Sequence, residues 1–322
     1  MPVRASVIIP TRNRWDKLQT CLEHFARQTE RAFEVIVADD GSDEPAPRAI
    51  EGTDRPFGLT LLRPGRVGIG PAKNAAVTAA RGELLIFTND DTYPTPGFVA
   101  EHLAAAADAG DRRWMTLGAT GWRAWPDATL FDALVAETGM IFFYDALEPG
   151  GLYDFRNAWN CNLSLPRSAF EAAGGFNERL GPFFFEDLEL AWRMGRTGWQ
   201  VRYWPAAAAT HDHRYTPQGY LDRERTLGAM APHLWRANPE CFEAVYRGPL
   251  DDAFVAYARR FLADHGRMAG RFAEHFRQWA DWPAALLDRP PLSRTQWLDL
   301  FVHAHRVLKR VTFYRGLLGD TA

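Results

Sequence analysis

The chain has 322 residues, of which 47% are hydrophobic and 24% charged, the usual composition of a globular protein. This length allows one large domain with an appended region, since domains usually contain roughly 100–200 residues. The formal net charge is −3, so no overall positive field attracts nucleic acid. No basic run with interleaved aromatic residues occurs either, and nucleic acid is therefore excluded from the expected partners.

The cysteines and the start of the chain indicate the compartment. Cys21, Cys161 and Cys241 lie far apart and show no zinc-binding spacing, which is typical of free thiols in a reducing environment. Residues 1–10 are too short, and too soon followed by Arg12, to form a signal peptide. No run approaches the roughly 20 apolar residues that a membrane span needs. We expect a cytoplasmic protein, with peripheral contact to a membrane left open.

Short apolar strands alternate with helices over about residues 1–120. The predicted strands are Ser6–Ile9, Phe33–Ala38, Leu59–Leu62 and Leu84–Phe87. The predicted helices are one that carries Leu18, Cys21, Leu22 and Phe25, one over 71–80 and one over 96–109. Continuous apolar strands that alternate with helices indicate an α/β fold, in which helices cover both faces of a mostly parallel sheet.

The alternation stops at about residue 121. Residues 121–160 are rich in Trp, Phe and Gly and predict a loop or a small excursion. The elements predicted after it are a regular segment at Asn160–Leu165, helices at about 167–173 and 187–196, and a short strand at Val201–Trp204. From about residue 215 the apolar pattern is helical, and Ser293 with Gln296 predicts a capping box at the start of the last helix.

Two acidic turns follow strands of the predicted sheet, Asp39-Asp40 and Asn89-Asp90-Asp91. In open parallel sheets ligands bind beyond the carboxyl ends of the strands. Carboxylates placed there suit a hard divalent cation, whose remaining ligands come from the diphosphate of a nucleotide-sugar. Asp39 suits hydrogen bonds from a base or a ribose. An ordinary turn is the alternative at each place, and the shared position at strand ends favours a binding site.

Two further clusters carry candidate chemistry. Glu186-Asp187 follows three phenylalanines, and partial burial raises a carboxylate pKa toward the range that suits a general base. Stabilisation of a helix N-terminus is the alternative for this acidic pair. His211 and His213 have the i, i+2 spacing that lets two imidazoles face one way in an extended chain, and imidazole binds transition metals. A solvated histidine pair is the alternative.

Three other features have more than one interpretation. Lys73 stands at the start of a predicted helix, after a glycine-containing loop without dinucleotide-binding or P-loop spacing, where it either meets a phosphate or is solvated. Trp122 belongs to an aromatic stretch that suits sugar binding or packing, and we expect acceptor binding. The last helix combines an apolar stripe with Arg306 and Lys309, which suits a membrane surface, the catalytic domain or a second copy in a homodimer.

Several of these segments, taken together, resemble family 2 glycosyltransferases, which have the GT-A fold. The resemblance covers roughly residues 4–214 and rests on the order and spacing of segments that are loose one by one. These segments are Val7–Arg14, Val37–Ser42, Gly68–Asn74, Phe87–Pro94, Asn162–Ser164, Gly174–Glu178, Glu186–Leu190 with Arg193, and His211. The resemblance implies a GT-A domain over 1–214, with a nucleotide-binding half at about 1–120 and an acceptor half at about 121–214. A helical region, 215–322, follows it.

The resemblance also implies roles for single residues. Asp187 would be the catalytic base, with Glu186 supporting the acceptor side. Asp91 and His211 would hold a divalent metal, Mn²⁺ or Mg²⁺. The nucleotide-sugar would be bound by Pro10, Thr11, Arg14, Asp39, Lys73, Asn89 and Asp90. Additional or acceptor-side residues would be Trp122, Asn162, His213 and Arg214.

The implied reaction is an inverting, metal-dependent transfer of one sugar from a nucleotide-sugar, with UDP-sugars expected first. The acceptor would be a hydroxyl of a glycan, a lipid-linked molecule or a small molecule. Asn89 stands where the family has the first Asp of its DxD motif, and Lys73 where it often has Arg. The QxxRW motif of processive members is not seen. The alternatives are a sugar-nucleotide-binding protein without transferase activity and a sugar nucleotidyltransferase, which would need a glycine-rich loop that Pro10–Asn13 does not provide.

Overall fold

The computed structural model describes residues 2–320, which form two compact units. The first contains the residues up to Gly121 and Glu148–Asp212, and the second contains Trp122–Leu147 and the residues from His213 onward. The strands are β1 (Ala5–Thr11), β2 (Phe33–Asp39), β3 (Gly58–Leu62), β4 (Leu84–Thr88), β5 (Thr92–Pro94), β6 (Trp114–Trp122), β7 (Leu152–Tyr153), β8 (Asn162–Pro166) and β9 (Gln200–His211).

Helices follow most of the strands. They are α1 (Trp15–Ala26), α2 (Arg48–Glu51), α3 (Ile69–Thr78), α4 (Phe98–Ala109), α5 (Leu130–Glu137), α6 (Arg167–Ala172), α7 (Glu186–Gly195), α8 (Pro217–Ala237), α9 (Pro239–Tyr246), α10 (Asp252–Ala280) and α11 (Arg294–Leu318). Short 3₁₀ helices lie at Tyr144–Ala146, Phe155–Asn157 and Ala284–Asp288. None of the helices within residues 2–320 has the length and apolar character that would let it cross a membrane.

The strands of the described residues form one mixed sheet in the order β3-β2-β1-β4-β8-β6-β9-β5, with β7 paired to β9. β1 pairs in parallel with β2 and β4, and β2 with β3, whereas β8 is antiparallel to β4 and β6. Thr11, the last residue of β1, lies opposite Asp39, the last residue of β2. The turns that follow the parallel strands therefore meet at one edge of the sheet, the usual position of a ligand in such folds.

Apolar side chains cover both faces of the sheet. On one face, Val7 and Val35 belong to a buried cluster that includes side chains of α1 and α4. On the other, Phe87 packs against Phe170 of α6, with ring centroids 5.7 Å apart. Strands buried on both sides need mostly apolar residues, which is the pattern in the sequence. The predicted α/β class, with a sheet flanked by helices and a helical C-terminal extension, is confirmed.

Two predictions about single elements were wrong. Residues 121–160 are not only a loop, because they contain the helix α5. Its start is a capping box in which Thr129 and Asp132 bond reciprocally, with Asp instead of the commoner Glu or Gln. The last strand, predicted at Val201–Trp204, extends over Gln200–His211, because antiparallel pairing with β5 and β7 holds an alanine-rich segment extended.

The second unit has a core of its own. Phe131 of α5 packs on Phe276 of α10, with ring centroids 5.5 Å apart, and Tyr220 of α8 lies 2.8 Å from His305 Nε2 of α11. The predicted capping box of the last helix is confirmed, since Ser293 begins α11 with reciprocal bonds to its third helical residue. Burial, together with the charges of neighbouring basic side chains, lowers the pKa of His305 to about 3, so this imidazole is neutral in the core.

Candidate active site

The turn Asn89–Asp91 is joined to the end of β9 by a short antiparallel pairing. β5 begins directly after this turn, and its register sets Thr92 opposite His211. The N–H of Asp212 donates to the carbonyl of Asp91 at 2.7 Å. His211 Nε2 lies 3.1 Å from Asp91 Oδ1, and both side chains are buried. A three-residue strand thus brings together the two side chains predicted to hold a metal.

Arg14 and Thr11 contact the same acidic turn from the first strand and helix. The guanidinium of Arg14 bonds to Asp91 Oδ2, and its Nη1 lies 3.3 Å from Asp90 Oδ1. Thr11 Oγ1 donates to Asp90 Oδ2 at 2.8 Å. Burial raises the pKa of Asp90 to about 7, although the Arg14 charge opposes this shift. Two of the residues predicted to bind the donor, Thr11 and Arg14, therefore contact the carboxylate pair to which a third, Asp90, belongs.

The pair of Asp91 and His211 fits a divalent cation by its donor chemistry. A carboxylate oxygen is a ligand that Mg²⁺ and Mn²⁺ prefer, and an imidazole nitrogen also suits Mn²⁺. No group of three or more His, Cys, Asp or Glu side chains that could hold a metal ion occurs within residues 2–320. A cation at this pair would take its other ligands from water and a bound diphosphate, the usual way in which proteins hold Mg²⁺. Arg14 supplies the positive charge beside Asp91 in the present structure.

The turn after β2 is built by two neighbouring carboxylates with different partners. Asp39 is buried, and its Oδ1 accepts hydrogen bonds from the N–H and the hydroxyl of Ser42 at 2.8 and 2.6 Å. Asp40 Oδ1 accepts from the N–H groups of Val67 and Gly68, at 2.8 Å each. Asp40 therefore shapes the loop before α3, a role that the sequence analysis missed. Its only sequence signal is its place beside Asp39.

Pro10 and Asn89 complete the strand ends predicted to line the nucleotide pocket. Both are half-buried. Pro10 pairs with Ala38 in the β1–β2 ladder, and the carbonyl of Asn89 accepts a hydrogen bond from the N–H of Thr92 at 3.2 Å. They lie at the carboxyl ends of two adjacent parallel strands, in agreement with the predicted position of the site.

An unusual backbone precedes the acidic start of α7. Phe184 and Phe185 both have left-handed conformations, with φ values of 63° and 68°. Bulky residues rarely adopt this conformation, and two in succession persist only where the surrounding structure holds them. The turn places Glu186 and Asp187 in the first turn of the helix, where the helix dipole favours negative charge.

Asp187 is half-buried and is bonded mainly by backbone groups. Its Oδ1 accepts from the N–H of Leu188 at 2.7 Å, and its Oδ2 accepts from the N–H of Asn160 at 3.4 Å. Burial raises the pKa of Asp187 to about 6, the negative charge of Glu186 adds to this shift, and the charge of Lys73 opposes it. A carboxylate with this pKa is ionised at neutral pH and basic enough to assist proton removal from a hydroxyl.

Lys73 and Glu186 form a buried ion pair beside Asp187. Lys73 is 1% exposed, and its Nζ lies 2.9 Å from Glu186 Oε1 and 5.4 Å from the ring centroid of Phe176. A buried charge needs such a partner, because removal from water is costly. The ion pair fixes the start of α7 against α3. The contact of Lys73 with a phosphate and the role of Glu186 toward an acceptor stay predictions.

The segment around Asn160 connects Asp187 to the first acidic turn. Asn160 bonds to Asp187 through its N–H, and the carbonyl of the next residue, Cys161, accepts from Thr88 Oγ1 at 3.0 Å. Thr88 ends β4 and immediately precedes Asn89. Both carboxylate pairs therefore belong to the same end of the sheet, which the sequence alone did not establish.

Asn162 occupies the interior of the sheet. It is 0% exposed, and its Nδ2 donates to the carbonyls of Ala119 and Ala207 at 3.0 and 2.8 Å. Its Oδ1 lies 2.8 Å from His102 Nε2. These contacts engage the whole amide group in holding β8 to its neighbours. They leave Asn162 no surface toward an acceptor, the role considered for it from the sequence.

Three of the predicted residues belong to the second unit. Trp122 stacks on Phe142, with ring centroids 5.8 Å apart. His213 packs against a neighbouring tyrosine ring at a centroid distance of 4.2 Å. Arg214 bonds to Asp132 at 2.8 Å and so ties the chain after β9 to the start of α5. Contacts of Trp122, His213 and Arg214 with an acceptor stay predictions.

The sequence analysis also missed Asp212, which lies between the two histidines. Its side chain is buried, and its Oδ2 lies 2.6 Å from Lys17 Nζ and accepts from the hydroxyl of Tyr93 at 3.0 Å. These bonds fix the end of β9 to α1 and β5. Asp212 therefore sets the position of His211 beside Asp91 without itself being a candidate ligand.

The sequence is similar to glycosyltransferases. Residues 6–146 match the family described as glycosyl transferase family 2. An uncharacterized protein of Sinorhizobium fredii is 28% identical over 237 residues, which cover 67% of this chain and 25% of that protein. An uncharacterized glycosyltransferase of Bacillus subtilis, YfnE, is 37% identical over 106 residues, 32% of this chain and 27% of that protein. The chain thus spans about a quarter of the length of these two relatives.

A relative with a named activity matches over more of its own length. The N-acetylglucosaminyl-diphospho-decaprenol L-rhamnosyltransferase of Mycobacterium tuberculosis is 29% identical over 229 residues, 60% of this chain and 71% of that protein.

Solved structures share the fold. The mannosyltransferase PcManGT of Pyrobaculum calidifontis superposes with a TM-score of 0.57 at 19% identity, covering 100% of this chain and 89% of that one. Residues 1–349 of TarS from S. aureus superpose with a TM-score of 0.54 at 15% identity, covering 98% and 91%. Identities this low show the fold alone. The predicted resemblance to family 2 glycosyltransferases is confirmed by the family match over residues 6–146, and the predicted fold by the solved structures.

Proposed function

We propose that this chain transfers a single sugar from a nucleotide-sugar to a hydroxyl group, with inversion at the anomeric carbon and with the help of a divalent metal. The observation that carries the proposal is the buried pair of Asp91 and His211, 3.1 Å apart, at the end of the sheet to which the half-buried carboxylate of Asp187 also belongs. The pair of Asp91 and His211 suits a metal and a diphosphate, and Asp187 suits the role of a general base.

The donor in this proposal is a nucleoside diphosphate sugar. The PcManGT structure holds GDP-Man and Mn²⁺, and the TarS structure holds UDP-GlcNAc, which supports this donor class and a role for Mn²⁺. UDP-sugars are the first choice for this chain. Asp39 would accept hydrogen bonds from the base, Thr11 and Arg14 would line the nucleotide pocket, and Lys73 would act near the phosphates.

The mechanism follows from the two sites. Asp187 removes a proton from the acceptor hydroxyl, whose oxygen forms a bond to the anomeric carbon on the face opposite the diphosphate. The bond from that carbon to the phosphate oxygen breaks, the nucleoside diphosphate leaves, and the configuration inverts. Asp91 and His211 would hold a divalent metal, which would supply positive charge against the charge that develops on the diphosphate. Arg14 contributes a second positive charge on the same side.

The acceptor in this proposal is a hydroxyl of a glycan, a lipid-linked glycan or a small molecule. The name of the M. tuberculosis relative describes transfer of rhamnose to a diphospho-decaprenol-linked sugar, which supports the lipid-linked class. We assign the transferase chemistry to residues 1–214 and treat 215–322 as a helical region. Trp122, His213 and Arg214 are the candidate acceptor contacts to test.

A transfer assay tests the proposal. The chain is incubated with UDP- and GDP-sugars, Mn²⁺ or Mg²⁺ and a set of hydroxyl acceptors, and release of nucleoside diphosphate is measured. Release with an inverted glycoside product supports the proposal. Tight binding of a donor without turnover with any acceptor or water favours a sugar-nucleotide-binding protein. Formation of a nucleotide-sugar from a nucleoside triphosphate and a sugar phosphate, with release of pyrophosphate, favours a nucleotidyltransferase.

A further inference from the structure

The second unit contains a large cavity that the proposed transfer reaction does not use. Its volume is about 1030 Å³, and residues of α8, α9, α10 and α11 line it, together with Arg247. Sites that enclose small organic ligands usually have volumes of roughly 300–1,000 Å³. The cavity is thus large enough for a ligand with a substantial apolar part.

The wall of the cavity is aromatic. Tyr314 of α11 packs against three other lining rings, with its ring centroid 6.3 Å from that of Phe254, 6.1 Å from that of Tyr257 and 5.5 Å from that of Phe261. Tyr257 remains 44% exposed in spite of these contacts. Large apolar rings that stay open to solvent around a cavity mark a surface suited to an apolar ligand.

The rim of the cavity is positively charged. Arg247, Arg306 and Arg310 line it and are exposed, and within residues 2–320 they have no carboxylate partner. Arg310 lies over the Phe261 ring, with Cζ 5.7 Å from the centroid. The one acidic residue of the lining, Glu224, is 1% exposed and lies 2.7 Å from Arg223 Nη1, so it does not neutralise the rim.

We propose that this cavity binds a single amphipathic anion, a hydrocarbon chain that ends in a phosphate group. The chain would lie against Phe254, Tyr257 and Phe261, where burial of apolar surface is favourable. The phosphate would meet Arg306 and Arg310, which are one helical turn apart on α11 and present guanidinium groups suited to phosphate oxygens. This proposal is independent of the transferase reaction.

Isothermal titration calorimetry of the full chain with decyl phosphate, below its micellar concentration, tests the proposal. We expect one saturable site, with decanol and inorganic phosphate each binding at least about tenfold more weakly, because each lacks one half of the recognition. The double variant Arg306→Ala/Arg310→Ala should weaken decyl phosphate by about tenfold or more, the loss expected for charge-assisted hydrogen bonds. Tyr257→Ser should also weaken the binding of decyl phosphate, because it removes an apolar ring from the cavity wall.

The matched control is Arg259→Ala/Arg260→Ala, which removes two exposed arginines of α10 that do not line the cavity. It should bind decyl phosphate as the unaltered chain does, and the melting temperatures of all variants should agree. Absence of saturable binding would overturn the proposal. Equal weakening of decyl phosphate binding by the two double variants would also overturn it, and so would an affinity for inorganic phosphate equal to that for decyl phosphate. The same holds for self-association of the chain that covers the aromatic wall and that decyl phosphate does not affect.

Discussion

Two acidic pairs of the first unit, Asp90-Asp91 and Glu186-Asp187, have different surroundings. In Asp90-Asp91 a guanidinium contacts both carboxylates, and a histidine lies 3.1 Å from the second. In Glu186-Asp187 the lysine ion pair engages Glu186, and Asp187 is left with backbone N–H donors. In the first pair one guanidinium contacts both members, whereas in the second pair the lysine contacts only Glu186.

This difference assigns the two pairs to different chemistry. A carboxylate contacted by a guanidinium and a histidine suits a metal and a diphosphate, since these partners can rearrange around a second ligand. A half-buried carboxylate that accepts hydrogen bonds from backbone N–H groups and has a raised pKa suits proton transfer. Residue type does not distinguish the two pairs, because each has an Asp as its second member. The surroundings of each pair distinguish them.

The largest effect is expected from Asp187→Asn. The amide is close in shape but cannot accept the proton, and loss of a general base lowers turnover by about 10²–10⁴-fold. Donor affinity should stay within about threefold, because Asp187 is not in the donor site. Initial rates and donor titrations measure both quantities. Turnover close to that of the unaltered chain would contradict the role of Asp187 as the base.

The next largest effect is expected from Lys73→Met. It leaves Glu186 buried without its cation, which costs about 3–5 kcal/mol of unfolding free energy. The matched control, Lys73→Met/Glu186→Gln, removes both charges and should recover most of that loss. Urea unfolding measures the three free energies. If the single and double variants were equally unstable, the pair would not be a coupled ion pair.

A third prediction concerns pH. The pKa of Asp187 is raised to about 6, so the ionised, active base predominates above that pH and is lost as the pH falls through it. Turnover should then fall by about tenfold per pH unit on the acid side. Because the charge of Glu186 helps to raise this pKa, Glu186→Gln should move the acid limb to lower pH. If the acid limb of the pH profile stayed at the same pH in Glu186→Gln, this would contradict the effect of the Glu186 charge on the pKa of Asp187.

The smallest effect is expected from Thr11→Val at the first pair. The variant keeps the shape but removes the hydroxyl that donates to Asp90 Oδ2 at 2.8 Å. An oxygen left without this donor costs about 1–3 kcal/mol of unfolding free energy. Thr78→Val, at an exposed position of α3, is the control and should change it by less than about 0.5 kcal/mol. Equal effects at the two positions would argue against a built hydrogen bond at the acidic turn.

Much of the first pair could be predicted because its residues lie at strand ends. Asp91 comes shortly after an apolar strand, as Asp39 comes at the end of another, and the carboxyl ends of parallel strands meet at one edge. The place of His211 beside Asp91 depends on the pairing of β5 with β9. A three-residue strand that ends in Pro94 and an alanine-rich partner carry too little apolar alternation to predict that pairing.

The partners of the second pair could not be predicted. Lys73 looked like a phosphate ligand or a solvated side chain, and its burial against Glu186 follows from packing of α3 on α7, which a local pattern does not report. The left-handed Phe184 and Phe185 are also invisible in sequence, since neither residue favours that conformation. The missed helix α5 had a signal, the Thr129 capping box, with an unusual Asp at its third position.

The central claim is that Asp91 holds a metal that the donor needs. The most direct test is the thermal stability of the chain with a nucleotide-sugar, with and without Mn²⁺, because a ligand at 100 times its Kd stabilises the folded state by about 2.7 kcal/mol. We predict a donor-dependent rise in melting temperature that requires Mn²⁺ in the unaltered chain and in the exposed control Asp54→Asn, and that Asp91→Asn abolishes. A rise of the same size without metal, or one that survives in Asp91→Asn, would contradict the account.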